Sequence, residues 1–202
     1  MVFVAIGSVL IFRKFANEPT KMQSPSQAAP AGREGHAPQG PVLAVYGRAP
    51  EFDLTERGGQ IFSEKNLLGK PWVADFIFTS CAGQCPLMSL EMRKLQKTFP
   101  EVTGLQFVSF TVDPERDTPE VLSQYADRYG AEKDRWFFLT GTRGELDRIQ
   151  KEFYLTPAEQ PMMHSVRFIL VDGEGETRGY YDSSDEASMK QLIHDAGVLV
   201  NQ

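Results

Sequence analysis

The chain has 202 residues, 41% of them apolar and 24% charged, which fits one globular domain with extensions better than two full domains. Its 27 acidic against 21 basic side chains leave a net charge of −6, which argues against nucleic acid as a partner. Two cysteines cannot make a disulfide scaffold, so they are a redox couple, a metal site or buried thiols.

Met1–Phe12 carries no charge and is mostly apolar, with Arg13 and Lys14 directly after it. As a helix this run would reach about 18 Å, short of the roughly 30 Å hydrocarbon core. No basic residue precedes it and no clear small-x-small cleavage site follows, unlike a signal peptide. The expectation is that residues 1–15 belong to a membrane anchor whose true start lies upstream; a short, loosely structured apolar terminus is the plainer reading. Residues 16–40 are rich in Pro, Ala, Gly, Ser and Gln, lack a periodic apolar face, and read as a flexible linker. His36 lies in that linker and reads as solvated. Residues 41–202 read as the folded domain.

Phe52–Leu54 and Gln60–Phe62 flank Glu56-Arg-Gly-Gly59 and predict a hairpin. Trp72–Thr79 is an apolar run of strand length. Pro86–Thr98 places apolar residues at Leu87, Met88, Leu90 and Leu95, with Phe99 following, and reads as a helix. Leu105–Val112 is a second strand. Pro119–Tyr129 is a helix with Asp117 or Thr118 as its cap and Pro119 at the first position. Trp136–Leu139 is a short strand. Thr142-Arg-Gly-Glu145 has capping-box spacing and opens a helix to Phe153. Val166–Val171 is a strand, turned by Asp172-Gly-Glu-Gly175 into Thr177–Tyr181. Ser183-Ser-Asp-Glu186 again has capping-box spacing and opens the last helix, to about Leu199. The alternation predicts an α/β fold, a mostly parallel sheet with helices on both faces. The closing hairpin and helix make it thioredoxin-like, a central mixed sheet flanked by helices, with the N-terminal hairpin as an addition. In such sheets function gathers at the carboxyl ends of the strands.

Cys81 and Cys85 lie past one such end, in Asp75-Phe-Ile-Phe-Thr-Ser-Cys81-Ala-Gly-Gln-Cys85-Pro. Their four-residue spacing puts both side chains on one face of a helical turn. A helix N-terminus favours the thiolate. Two convergent thiolates suit Cu(I), and the same pair could close a disulfide. Spacing alone leaves both open. Of the three histidines, His194 falls inside the last helix and reads as a surface or partly packed side chain. His164 ends the loop Thr156–His164 just before the strand Val166–Val171, a loop that faces the cysteine turn in a thioredoxin-like fold. It is the candidate third ligand. Met162 and Met163 read as packing or lining residues rather than ligands. Asp75, inside an apolar strand, is either hydrogen-bonded near the site or on a partly wet face. Asp113-Pro-Glu-Arg-Asp117-Thr-Pro119 lies past the second strand and reads first as a helix start, with a role near the metal or the partner face as the alternative.

Cys81-Ala-Gly-Gln-Cys85-Pro, Thr111-Val-Asp-Pro-Glu-Arg-Asp-Thr-Pro119 and His164-Ser-Val-Arg-Phe-Ile-Leu-Val-Asp172 together resemble the SCO/SenC family of copper chaperones, over roughly Ala44 to the C-terminus. The resemblance implies a thioredoxin-like domain tethered outside the cytoplasm, on the periplasmic or extracytoplasmic face of a membrane. It implies copper, as Cu(I) or Cu(II), on Cys81, Cys85 and His164. It implies a role in assembling the copper centre of cytochrome c oxidase subunit II or another cuproprotein. Some relatives act on thiols instead, so the alternative is a thiol-disulfide reductase cycling Cys81 and Cys85, fed by a thioredoxin-like reductant. The first twelve residues are shorter than the family's membrane helix. A peroxidase would need one activated cysteine rather than a pair. Structural zinc lacks a fourth ligand, because neither His36 nor His194 is well placed.

Overall fold

The computed structural model describes residues 43–153 and 166–202. Among them eight strands form one sheet: β1 (Gly47–Arg48), β2 (Asp53–Glu56), β3 (Ile61–Ser63), β4 (Trp72–Ile77), β5 (Gln106–Thr111), β6 (Trp136–Thr140), β7 (Arg167–Val171) and β8 (Glu176–Asp182). Four helices accompany them: α1 (Gln84–Thr98), α2 (Pro119–Tyr129), α3 (Arg143–Phe153) and α4 (Glu186–Leu199). The strand order is β1-β8-β7-β4-β5-β6-β2-β3.

Only the central strands run parallel, β4 with β5 and β5 with β6. The sheet is therefore mixed, as the thioredoxin-like reading expects, and less parallel than the β-α alternation alone implies. Alternating β and α units account for the middle, where helical crossovers enforce parallel pairing. The two hairpins add antiparallel strands at the flanks: β2–β3 beside β6, and β7–β8 beside β4. The two-residue strand β1, which the sequence pattern does not reveal, closes the β8 edge.

β4 and β5 are buried along their whole length, which is why they read as continuous apolar runs. Their side chains still alternate between two cores. Val73, Ile77 and Phe107 meet Met88, Met92 and Leu95 of α1, Leu122 and Tyr125 of α2, and Leu192 and Ala196 of α4. Trp72, Ala74, Phe76, Val108 and Phe110 meet Leu146, Ile149 and Phe153 of α3, together with Phe52, Phe62 and Leu67. Each of these large apolar side chains contributes roughly 1.5–3 kcal/mol by leaving water. α1 presents Met88, Met92 and Leu95 at helical spacing, and adds a polar tie from Ser89 Oγ to the Tyr125 hydroxyl at 2.8 Å. No helix among the described residues is long and apolar enough to cross a membrane.

The helix starts differ from expectation in two places. α1 begins at Gln84, with Gly83 as its cap, and not at Pro86. Pro86 sits inside the first turn, where its missing N–H costs nothing because that donor has no partner within the helix. α4 is capped by Asp185, whose carboxylate accepts from the N–H groups of Ala187 and Ser188, and not by the expected box from Ser183. Ser183 is held earlier: its N–H, which a capping box would give to the Glu186 side chain, donates instead to the Val166 carbonyl at 2.7 Å and ends the β7–β8 ladder. At α2 Thr118 is the cap and Pro119 takes the first position, as expected. We expect Asp185→Ala to cost about 1 kcal/mol and Ser183→Ala only a few tenths, measured by urea unfolding.

Candidate functional site

Strand β4 stops at Ile77 because the chain turns there. The Cys81 N–H donates to the Phe78 carbonyl at 3.2 Å, closing a tight turn over residues 78–81. Ala82, Gly83 and Gln84 stand exposed above it, and α1 leaves from Gly83. A glycine cap has no side chain with which to satisfy the first helical N–H groups. The Cys81 sulfur takes that place: the Gly83 N–H donates to Sγ at 3.4 Å.

The two thiols sit close enough to interact, and their surroundings differ sharply. Both are free cysteines, Cys81 half-buried and Cys85 buried. Partial burial pushes the Cys81 pKa up, but the N–H groups of Cys85, Gly83 and Gln84 and the Cys85 thiol outweigh it, so the thiol lies below its ordinary value. Burial pushes the Cys85 thiol up to about 12, and the neighbouring Cys81 and Asp75 charges add to that rise. The expectation that the helix start would favour both thiolates holds for Cys81 and fails for Cys85. One turn further into the helix, desolvation is the larger effect.

Asp75 lies on the same face of β4 as Val73 and Ile77 and is fully buried. Neither of its oxygens has a partner in hydrogen-bond geometry. Burial raises its pKa to about 7, and Ser109, its register partner on β5, offsets that only in part. Ser109 Oγ also accepts from Trp136 Nε1 at 3.0 Å. The partly wet face considered for Asp75 is therefore excluded.

The Asp113–Pro119 motif divides into separate tasks. Thr118 caps α2, while Asp113 pairs with Arg116 at 2.9 Å. Asp117 does not cap; it is fully buried, and its carboxylate accepts hydrogen bonds from Thr79 and Thr111. Sequence reasoning missed this contact because Thr79 looks like the last residue of a strand and Asp117 like a helix start. The spacing of a threonine two residues ahead of Cys81 was the available signal.

His164, Met162 and Met163 lie outside the described residues, as does His36. Val166, two residues after His164, packs against the core that holds both cysteines. His194 is exposed on α4. Among the described residues one trio of acidic groups converges, Asp172, Glu174 and Glu176. Asp172 is committed to its own turn there, accepting from the N–H groups of Glu174 and Glu176 and pairing with Arg178 at 2.6 Å.

Residues 46–197 match the SCO1/SenC family model. A SCO1 protein homolog of Bacillus subtilis is 32% identical over 151 residues, covering 71% of this chain and 78% of that protein. Among solved structures, a SCO1/SenC family lipoprotein from Bacillus anthracis is 33% identical with a TM-score of 0.68, covering 76% of this chain and 95% of that one. BsSco, a Sco-family cytochrome c oxidase assembly protein in which a disulfide switch is described, is 28% identical with a TM-score of 0.69 over 79% of this chain and 98% of its own. Yeast Sco1, solved with copper bound, is 27% identical with a TM-score of 0.60 over 75% of this chain and 89% of its own.

Two outcomes test the site. Cys81 should react with iodoacetamide at pH 7 at least about tenfold faster than Cys85, read by mass spectrometry of the reduced chain, because only the thiolate reacts. Asp75 is protonated in the folded chain up to about pH 7 but ionises near 3.8 when unfolded. The folded state then binds the extra proton between those values, so stability falls as pH rises through that window. We expect Asp75→Asn to be more stable than the native chain at pH 8, by up to roughly 4 kcal/mol, with the gap closing towards pH 4 in urea unfolding.

Proposed function

We propose that this chain, which belongs to the SCO1/SenC family, carries copper on Cys81, Cys85 and His164 and delivers it to the copper centre of cytochrome c oxidase subunit II. The observation that carries this reading is the meeting of two thiols at one helix start, with the more acidic one at the surface. Two sulfur donors at an exposed turn suit a soft ion that must be taken up and handed on. Cys81 is predisposed to ionise, and its sulfur already rests against helix N–H groups that stabilise negative charge. Cys85 must lose its proton when the ion arrives, so uptake releases a proton and weakens as pH falls. The imidazole of His164 would complete the donor set and make Cu(II) acceptable beside Cu(I). The copper-bound yeast Sco1 and the oxidase-assembly role given for BsSco support the same reading. Residues 1–15 as a membrane anchor and 16–40 as its linker would hold the domain at the extracytoplasmic face.

The unequal thiols also favour a second reading, a thiol-disulfide reductase. The Cys81 thiolate would attack a partner's disulfide, forming a mixed disulfide and expelling one partner thiolate. Cys85, on losing its proton to that thiolate, would then attack Cys81 Sγ. This releases the reduced partner and leaves Cys81–Cys85 oxidised, two electrons having passed to the partner. An accessible low-pKa thiol beside a buried one is the arrangement such a sequence uses.

Anaerobic Cu(I) titration of the reduced chain against a competing chelator separates the two. Cys81→Ser and Cys85→Ser should each lower affinity by more than the roughly 10–100-fold typical of losing an outer-shell partner. His164→Ala should lower it about tenfold or more, and most for Cu(II). Unchanged affinity in His164→Ala removes that residue from the site. Feeble binding by the native chain, with fast exchange against a model disulfide, selects the reductase.

A further inference from the structure

Asp117 is joined to the turn that presents Cys81. The Thr79 N–H donates to Asp117 Oδ2 at 3.1 Å, and the Thr79 hydroxyl donates to Oδ1 at 2.5 Å. The Thr111 hydroxyl donates to Oδ2 at 2.5 Å. Thr79 lies inside the turn closed by the Cys81 N–H and the Phe78 carbonyl, so its backbone position decides where Cys81 leaves the sheet. Thr111 is the last residue of β5 and the register partner of Ile77, the last residue of β4. One fully buried carboxylate thus fastens the departing ends of both central strands to each other.

The fastening is anchored from the far side as well. The Asp117 N–H donates to the Asp113 carbonyl at 2.9 Å, and the Asp113 N–H donates to Thr111 Oγ1 at 3.0 Å. Arg143, at the start of α3, pairs with Glu115 and donates to the Val112 carbonyl. The Asp113–Asp117 loop is therefore a rigid bracket between α3, α2 and the cysteine turn. A helix start alone needs none of this, because Thr118 is the cap.

We infer that Asp117, acting through Thr79, is a positioning residue that sets Cys81 against Cys85. Without it the Thr79 N–H and hydroxyl lose their acceptor, the turn loosens, and the effective concentration of one thiol at the other falls. The Cys81–Cys85 disulfide becomes less stable, and any ion held by the pair loses a preorganised donor. The second consequence rests on the copper reading above; the first does not.

The test compares the native chain with Asp117→Asn, Thr79→Val and the control Asp195→Asn. Asp195 is a buried carboxylate between α4 and β8 that accepts from the Tyr181 hydroxyl at 2.8 Å. The equilibrium constant for exchange with dithiothreitol is read without copper, Cu(I) affinity is read by chelator competition, and stability by urea unfolding. Asp117→Asn and Thr79→Val should each shift the exchange constant about tenfold towards the dithiol and weaken Cu(I) binding about 10–100-fold. Asp195→Asn should lose stability and leave both values unchanged. A native exchange constant in folded Asp117→Asn or Thr79→Val overturns the inference, as does an equal shift in Asp195→Asn. Should Asp117→Asn fail to fold, Thr79→Val alone decides. A native chain that binds no copper, with the exchange constant still shifted, defeats the copper reading and upholds Asp117.

Discussion

A helix that starts at a glycine has no side chain to receive its first N–H groups, and in this protein the receiver is a sulfur. Gly83 caps α1 without a side-chain hydrogen bond, and Cys81 Sγ, two residues earlier, accepts from the Gly83 N–H. That contact links fold to chemistry. The N–H groups that need an acceptor are the ones that lower the thiol's pKa. A residue good at capping this helix is therefore, by the same contacts, a residue that ionises readily.

For the sulfur to serve as cap, the chain must leave β4 at a defined point. The strand is buried on both faces and cannot end by fraying into solvent. It ends because Asp117 takes the Thr79 N–H and hydroxyl, and because Val112 continues the ladder only as far as the Ile77 carbonyl, at 2.8 Å. The local turn, the helix start and the Asp113–Asp117 bracket are thus one connected piece of hydrogen bonding at the carboxyl ends of the parallel strands. The apolar cores beneath hold it up. Met88 and Met92 pull α1 onto the sheet, and that seating is what buries Cys85 while leaving Cys81 at the surface.

Much of this was legible in the residues, and the remainder failed for identifiable reasons. Apolar runs and capping residues placed the core strands and the four α-helices, and Pro119 marked the start of α2 closely. The mixed sheet was legible from the closing hairpin and not from the β-α alternation, because alternation speaks for the crossovers and is silent on how flanking hairpins dock. Ser183 carried the capping-box spacing while Asp185 is the cap, since the spacing cannot tell which residue the preceding strand still holds. Cys81 precedes α1 and Cys85 lies in its first turn, and thiols close enough to interact do not share an environment. The difference in their burial depends on how α1 seats on the sheet, a tertiary fact. Asp117 read first as a helix start because its partner Thr79 is 38 residues earlier in the chain.

Asp75 completes the logic of the site by what it denies. Above about pH 7, where Asp75 is ionised, its buried charge opposes further negative charge nearby and adds to the rise of the Cys85 thiol. The interior side of the site is therefore hostile to a second free thiolate, while the outer side, at the helix start, welcomes the first. Two thiolates can coexist here only if something takes the place of the Cys85 proton. A bound cation does so electrostatically, and a disulfide does so by removing both charges. The same asymmetry thus makes the empty dithiol a poor dianion and a ready receiver of either a soft cation or an oxidant. This is why one pair of cysteines supports both proposed roles.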